Sequence, residues 1–137
     1  MRPILFDTNA YTAFKCAAPD IVEIVQHAEL IGITPIVIGE LLSGFDGGGN
    51  KAKQNRAELQ TFLESPRIRF FNISLDTSHF FSQIYCSLKT KGKPIPTNDM
   101  WIAAQALEHG CVVCTFDKHF KYIEGIISGS STESLFV

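Results

Sequence analysis

Short apolar runs alternate along this chain with stretches of helical periodicity, and no other feature restricts the fold as much. Residues 4–6, a segment ending at Ile33, residues 67–73 and residues 111–115 read as strands. Between them, residues 19–30, 35–42, 51–64, 76–88 and 97–109 repeat their apolar positions at helical spacing. Strands separated by helices predict an α/β fold built on a parallel sheet. Local chemistry supports the bounds. Thr34 is a cap with Pro35 at the first helical position, Thr97 is expected to cap the helix that ends at His109, and Gly110 stands where helices terminate. Asp7-Thr8-Asn9 reads as a polar turn, the glycine-rich stretch 46–50 as a loop, 89–96 as a basic loop, and the tail 125–137 as at most an edge strand.

Against this apolar background, three acids each stand as the only charge in a long uncharged window. They are Asp7 within 4–14, Glu40 within 30–45 and Asp99 within 95–107. A carboxylate leaves water at a cost of several kcal/mol unless something compensates it. Nearly every basic residue lies outside these windows, so acids that meet in space need a cation from elsewhere. Asp7 and Asp117 each follow a strand, at the sheet edge where open parallel sheets bind ligands. Asp99 falls in the first turn of its helix, favoured by the helix dipole, on a face shared with the small Ala103 and Ala106. Glu40 shares a face with Ile36, Val37, Ser43 and Gly44, read as an inward-facing stripe.

Two charges ~5 Å apart repel by roughly 3 kcal/mol at an effective dielectric near 20. Four converging carboxylates therefore call for a divalent ion, and all-oxygen ligation suits Mg²⁺ or Mn²⁺ rather than zinc. The four histidines have no zinc-like spacing, and His27, His79 and His109 read as surface or helix-end residues. Taken singly, Asp7, Asp99 and Asp117 are equally well explained as a turn cap, a helix-terminus acid and a loop-ordering acid. Glu40 inside a helix has no such explanation.

Composition sets the outer bounds. At 137 residues, with 45% hydrophobic and 19% charged residues, the chain fits one globular domain, 1–137. No apolar run approaches the ~18 residues of a membrane span, and an acid interrupts the N-terminus too early for a secretory signal, so a cytoplasmic protein is expected. A net charge of −2 does not mark a nucleic-acid binder, yet Lys51, Lys53 and Arg56, then Lys89, Lys91 and Lys93, then Lys118 and Lys121 cluster. Solvated faces explain each cluster, whereas together they are candidates to line a phosphate groove. Cys111 and Cys114 have the spacing of a redox or zinc pair, but on a strand residues three apart face opposite ways. Buried free thiols are expected.

These residues complete a resemblance. Residues 5–9 (Leu-Phe-Asp-Thr-Asn), 40–44 (Glu-Leu-Leu-Ser-Gly), 95–106 (Ile-Pro-Thr-Asn-Asp-Met-Trp-Ile-Ala-Ala-Gln-Ala) and 115–120 (Thr-Phe-Asp-Lys-His-Phe) run nearly end to end. In this order the chain resembles the PIN-domain family, and within it the ribonuclease toxins of VapBC-type toxin–antitoxin modules. The resemblance implies a PIN-like three-layer α/β/α domain with a central, mainly parallel sheet of four or five strands. It implies a Mg²⁺- or Mn²⁺-dependent endoribonuclease in which Asp7 and Asp99 are the principal ligands and Glu40 and Asp117 complete the acidic pocket. Thr8, Asn9, Asn98 and Thr115 are then supporting polar residues that orient ligands or waters, with capping and turn chemistry as the competing explanation.

The same resemblance implies an RNA substrate, a cognate antitoxin whose tail enters the cleft, a homodimer, and operator DNA reached only through the antitoxin. Phe14, Phe45 and Phe62 are candidates for the exposed aromatics such contacts need. Two other readings stay open. One is a non-catalytic PIN-type scaffold. The other is an aspartate-based phosphohydrolase with Asp7 as nucleophile, although that class carries a second aspartate where this chain has Asn9.

Overall fold

The computed structural model describes residues 2–136. The chain runs β1 (Ile4–Phe6), α1 (Thr8–Lys15), α2 (Pro19–His27), β2 (Ile31–Ile33), α3 (Pro35–Asp46), α4 (Ala52–Leu63) and β3 (Ile68–Phe70). It continues through α5 (Leu75–Lys91), α6 (Thr97–His109), β4 (Val112–Cys114), a 3-10 turn (Lys118–Tyr122), β5 (Ser128–Gly129) and α7 (Thr132–Leu135). The five strands lie in the order β3-β2-β1-β4-β5 and every pairing is parallel. From β1 the chain steps outward through β2 to β3, then crosses back to place β4 on the other side of β1. Right-handed crossovers therefore put α1 to α4 on one face and α5 and α6 on the other.

Both faces are apolar because the strands are covered on both sides. Ile4, Leu5, Phe6, Ile31, Ile33, Val112 and Val113 are buried, together with Ile102, Ala103 and Ala106 of α6. Burying each large aliphatic side chain contributes about 1.5–3 kcal/mol. On the opposite face Phe62 stacks near Phe6 at 6.1 Å and meets Tyr11 edge-on at 5.1 Å, with Phe14 6.0 Å away. Phe14 and Phe62 are thus core-supporting, and Phe45 is half-buried against the core. None of the three is an exposed aromatic. That description belongs to Phe70, Tyr85, Phe116 and Tyr122.

Several local expectations change. Asp7-Thr8-Asn9 is not a free turn: α1 starts directly at Thr8, with Asp7 as its N-cap. Thr97 does not cap α6, since Pro96 is the N-cap position and Thr97 already lies inside the helix. The helix from Pro19 stops at His27, the third strand shrinks to Ile68–Phe70, and α5 extends to Lys91. Gly92 (φ 66°) and Gly110 (φ 68°) end α5 and α6 in the left-handed conformation that glycine adopts without strain. The tail does supply an edge strand, β5. Cys111 and Cys114 are free and buried, and burial pushes their thiols up to about 11 and about 12. No helix among the described residues is long and apolar enough to cross a membrane.

Candidate metal centre

Strand order reverses between β1 and β4, which opens a crevice outside their carboxyl ends. Phe6 pairs with Cys114, so Asp7 and Thr115 leave the sheet side by side. Asp7 is 5% exposed. One carboxylate oxygen accepts from the Thr8 N–H at 2.7 Å, capping α1, and the other accepts from the Thr115 hydroxyl at 2.8 Å. Burial raises the Asp7 pKa. Its bonds to Thr115 and Thr8 pull the other way, and the charges of Glu40 and Asp117 add to the rise.

Glu40 reaches the same crevice from α3. The Thr8 hydroxyl donates to its Oε1 at 2.6 Å and the Asn98 amide to its Oε2 at 3.3 Å, so one residue from each neighbouring helix fixes it. The stripe around it is not inward-facing: Val37 is buried, Ile36 half-buried, and Ser43 and Gly44 exposed. Glu40 stands between two open cavities. One of about 590 Å³ is lined by Asp7, Thr8, Asn9, Glu40, Asp99, Phe116 and Asp117 among others; one of about 560 Å³ runs past Ile36, Ser43 and Asn98.

Asp99, 8% exposed in the first turn of α6, faces Asp117 at the N-cap of the 3-10 turn. Burial lifts the Asp99 carboxyl to about 6, against the pull of its bond to His119, while the charges of Asp7 and Asp117 add to the rise. The Thr115 hydroxyl accepts from the Asp117 N–H at 2.9 Å, which links the Asp7 and Asp117 sides. Asn9 Oδ1 accepts from the Phe116 N–H at 3.2 Å, so Asn9 orders the backbone of this loop rather than pointing at a ligand. All four expected acids and all four expected supporting residues therefore belong to one connected network.

His119 was not among the expected site residues. Its Nδ1 lies 2.9 Å from Asp117 and 3.1 Å from Asp99, and ligand atoms of these three residues sit within 4.8 Å of one another. The 3-10 turn folds its side chain back over the Asp117 cap. An aspartate cap with histidine two positions later was the only signal available.

The donor set fits a divalent cation. Among the described residues, no lysine or arginine is ion-paired with any of the four acids. The compact group of ligand atoms is Asp99, Asp117 and His119, while Asp7 and Glu40 line the same cavity without joining that group. Carboxylate oxygens with a single imidazole are a mainly hard donor set, which suits Mg²⁺ or Mn²⁺. The basic clusters do not line the acidic cavity. Arg56 pairs with Asp46, Lys91 with Glu124, and Lys93 sits 5.3 Å over the Tyr122 ring.

Fold and crevice together define a parallel α/β domain with an acidic site at the strand-order switch. A PIN-domain family model matches residues 4–126, and the chain belongs to the PIN-domain family. It is 30% identical over 106 residues to Ribonuclease VapC2 of Rickettsia felis, covering 77% of each chain. It is also 30% identical over 123 residues to VapC ribonuclease Y4jK of Sinorhizobium fredii, covering 83% of this chain and 86% of that one. The structure of DNA-bound VapBC from Salmonella typhimurium superimposes with a TM-score of 0.81 at 26% identity, over 94% of this chain and 98% of its counterpart.

Proposed function

We propose that this chain, as a single PIN domain, is a Mg²⁺- or Mn²⁺-dependent endoribonuclease acting in the cytoplasm as the toxin of a type II toxin–antitoxin pair. The observation that carries this reading is the gathering of Asp7, Glu40, Asp99 and Asp117 in one crevice with no lysine or arginine paired to them. The ribonuclease names of the Rickettsia and Sinorhizobium relatives support the substrate class.

Asp7 and Asp99 would be the principal ligands of the ion, and Asp117 and Glu40 would complete the acidic pocket around it. A divalent ion bound there supplies charge that lets a phosphodiester approach the acids, and it lowers the pKa of a water molecule. The residues of the chain do the positioning. Thr115 and the Thr8 N–H fix both oxygens of Asp7, and Thr8 and Asn98 fix Glu40. His119 steadies Asp99 against Asp117. Water attacks phosphorus and the bond to the departing RNA oxygen breaks, with no serine, cysteine or histidine acting as nucleophile. The phosphohydrolase alternative wants a second carboxylate where Asn9 binds a backbone N–H.

A cognate antitoxin, pairing of two toxin copies, and operator DNA held through the antitoxin complete the proposal. The DNA-bound VapBC neighbour supports the antitoxin arm. The test is cleavage of RNA by purified protein with Mg²⁺ or Mn²⁺, compared with Asp7→Asn and Asp99→Asn. Loss of cleavage in folded variants is expected. Undiminished cleavage by either variant overturns the reading.

A further inference from the structure

The acid cavity has an aromatic wall that the hydrolytic reading does not use. Phe116 lies between β4 and the 3-10 turn, is 50% exposed, and lines the cavity, as do Ala13 and Cys16. Leaving a phenylalanine half exposed to water forgoes burial energy. Among the described residues Phe116 joins no aromatic pair, whereas Phe81 stacks on Trp101 at 4.1 Å and Phe71 on His109 at 4.1 Å. Its position is nevertheless fixed. The Phe116 N–H is held by Asn9, Thr115 is tied to Asp7, and Asp117 N–H to Thr115. The backbone that carries the ring is therefore held at a set place beside the carboxylates.

The lining also lacks lysine and arginine. Inside the cavity a nucleic-acid strand gains no phosphate contact from a basic side chain, so apart from the ion at the scissile phosphate a flanking nucleotide has no charge to hold it there. Base–aromatic stacking meets that need and tolerates any base, because each has a π-face. A base in a duplex is already stacked, whereas an unpaired base is free to move onto the ring.

We propose that Phe116 is the stacking platform for the base of a nucleotide flanking the scissile phosphate. This rests on the ribonuclease reading. The ring sets binding and placement; the acids perform the chemistry.

The experiment uses the full chain with Mg²⁺ and a short single-stranded RNA that the wild type cleaves, together with versions carrying an abasic site at each nucleotide flanking the cut. Phe116→Ala raises KM about tenfold, equivalent to 1.4 kcal/mol, while kcat falls less than about threefold. Phe116→Tyr recovers the wild-type KM, and Phe116→Leu, apolar without a π-face, does not. One abasic site raises KM for the wild type by a similar factor and adds nothing in Phe116→Ala. Anisotropy of the labelled RNA, with Ca²⁺ replacing Mg²⁺, reports the same affinity loss independently of cleavage.

An unchanged KM in Phe116→Ala overturns the proposal, as does a Leu variant as good as Tyr, or an abasic penalty that persists without the ring. An unchanged KM is also the result expected if this ring serves a protein partner instead. Absence of cleavage by the wild type on any RNA is a different result, and it removes the ribonuclease reading itself.

Discussion

Asp46 and Asp99 are the same chemical group handled in opposite ways. Asp46, at the exposed end of α3, accepts two hydrogen bonds from the Arg56 guanidinium, and its pKa is lowered, chiefly by those bonds. Asp99 is buried beside Asp7 and Asp117, and its pKa rises to about 6. The surface acid has its counter-charge built into the chain. The crevice acids have no lysine or arginine paired with them, only the His119 imidazole beside Asp99 and Asp117, and the fold tolerates their mutual repulsion. Such unfavourable placement is common where acids serve a ligand, and the proposed ligand is a cation.

Four interventions bear on that contrast, in decreasing order of effect. Removing a crevice acid comes first. Asp7→Asn or Asp99→Asn is expected to lower RNA cleavage beyond the roughly 10–100-fold typical of losing an outer-shell partner. Without divalent ions the same variants should melt at or above the wild-type temperature, because repulsion has been removed. A steady-state assay and a thermal scan in chelator check both halves.

Thr115→Val is next. It removes the hydroxyl bonded to Asp7 and to the Asp117 N–H, and is expected to cost about 10–100-fold in cleavage and about 1–3 kcal/mol in stability. Urea unfolding and kinetics on one preparation measure the two together.

The third intervention is pH. A carboxyl whose folded pKa is raised keeps its proton in the native state after the unfolded chain has lost it. Its stabilising contribution is complete below the unfolded value near 4 and disappears as pH rises through about 6. The ion-free protein should therefore lose stability between pH 4 and 6 by up to about 1.4 kcal/mol per pH unit from Asp99, with Asp7 acting in the same direction. Saturating Mg²⁺, which binds the deprotonated acids, should flatten this dependence between pH 4 and 6. Urea midpoints across that range, with chelator and with Mg²⁺, give the comparison.

Arg56→Ala should have the smallest effect. The Asp46–Arg56 pair is exposed, so its loss should shift melting only slightly, vanish in high salt, and leave RNA cleavage unchanged. A matched pair of melts at low and high ionic strength is sufficient.

How far the residues alone disclosed this contrast differs from place to place. Alternation of apolar runs and helical spacing was enough for the parallel sheet, and Asp7, Glu40, Asp99 and Asp117 were legible because each stood out from uncharged surroundings. Helix α1 was hidden because Asp7-Thr8-Asn9 is turn chemistry, and here the strand end and the helix cap coincide. Thr97 misled because Pro96, which lacks an N–H, takes the cap position itself. His119 and Phe116 stood within the 115–120 stretch but were not assigned to the site, since their directions depend on a 3-10 turn that carries no periodic signature. The basic clusters lie outside the lining of the acidic cavity for a local reason. Arg56 and Lys91 find acids near them and do not turn toward the crevice.

Titration of Mn²⁺ into the purified, chelator-treated protein, followed by the loss of the free-ion electron paramagnetic resonance signal, tests the central claim most directly. The account predicts saturable binding in the wild type, loss of that binding in Asp7→Asn and Asp99→Asn, and no change in Arg56→Ala. Binding that is absent from the wild type, or that survives removal of both crevice aspartates, would contradict it.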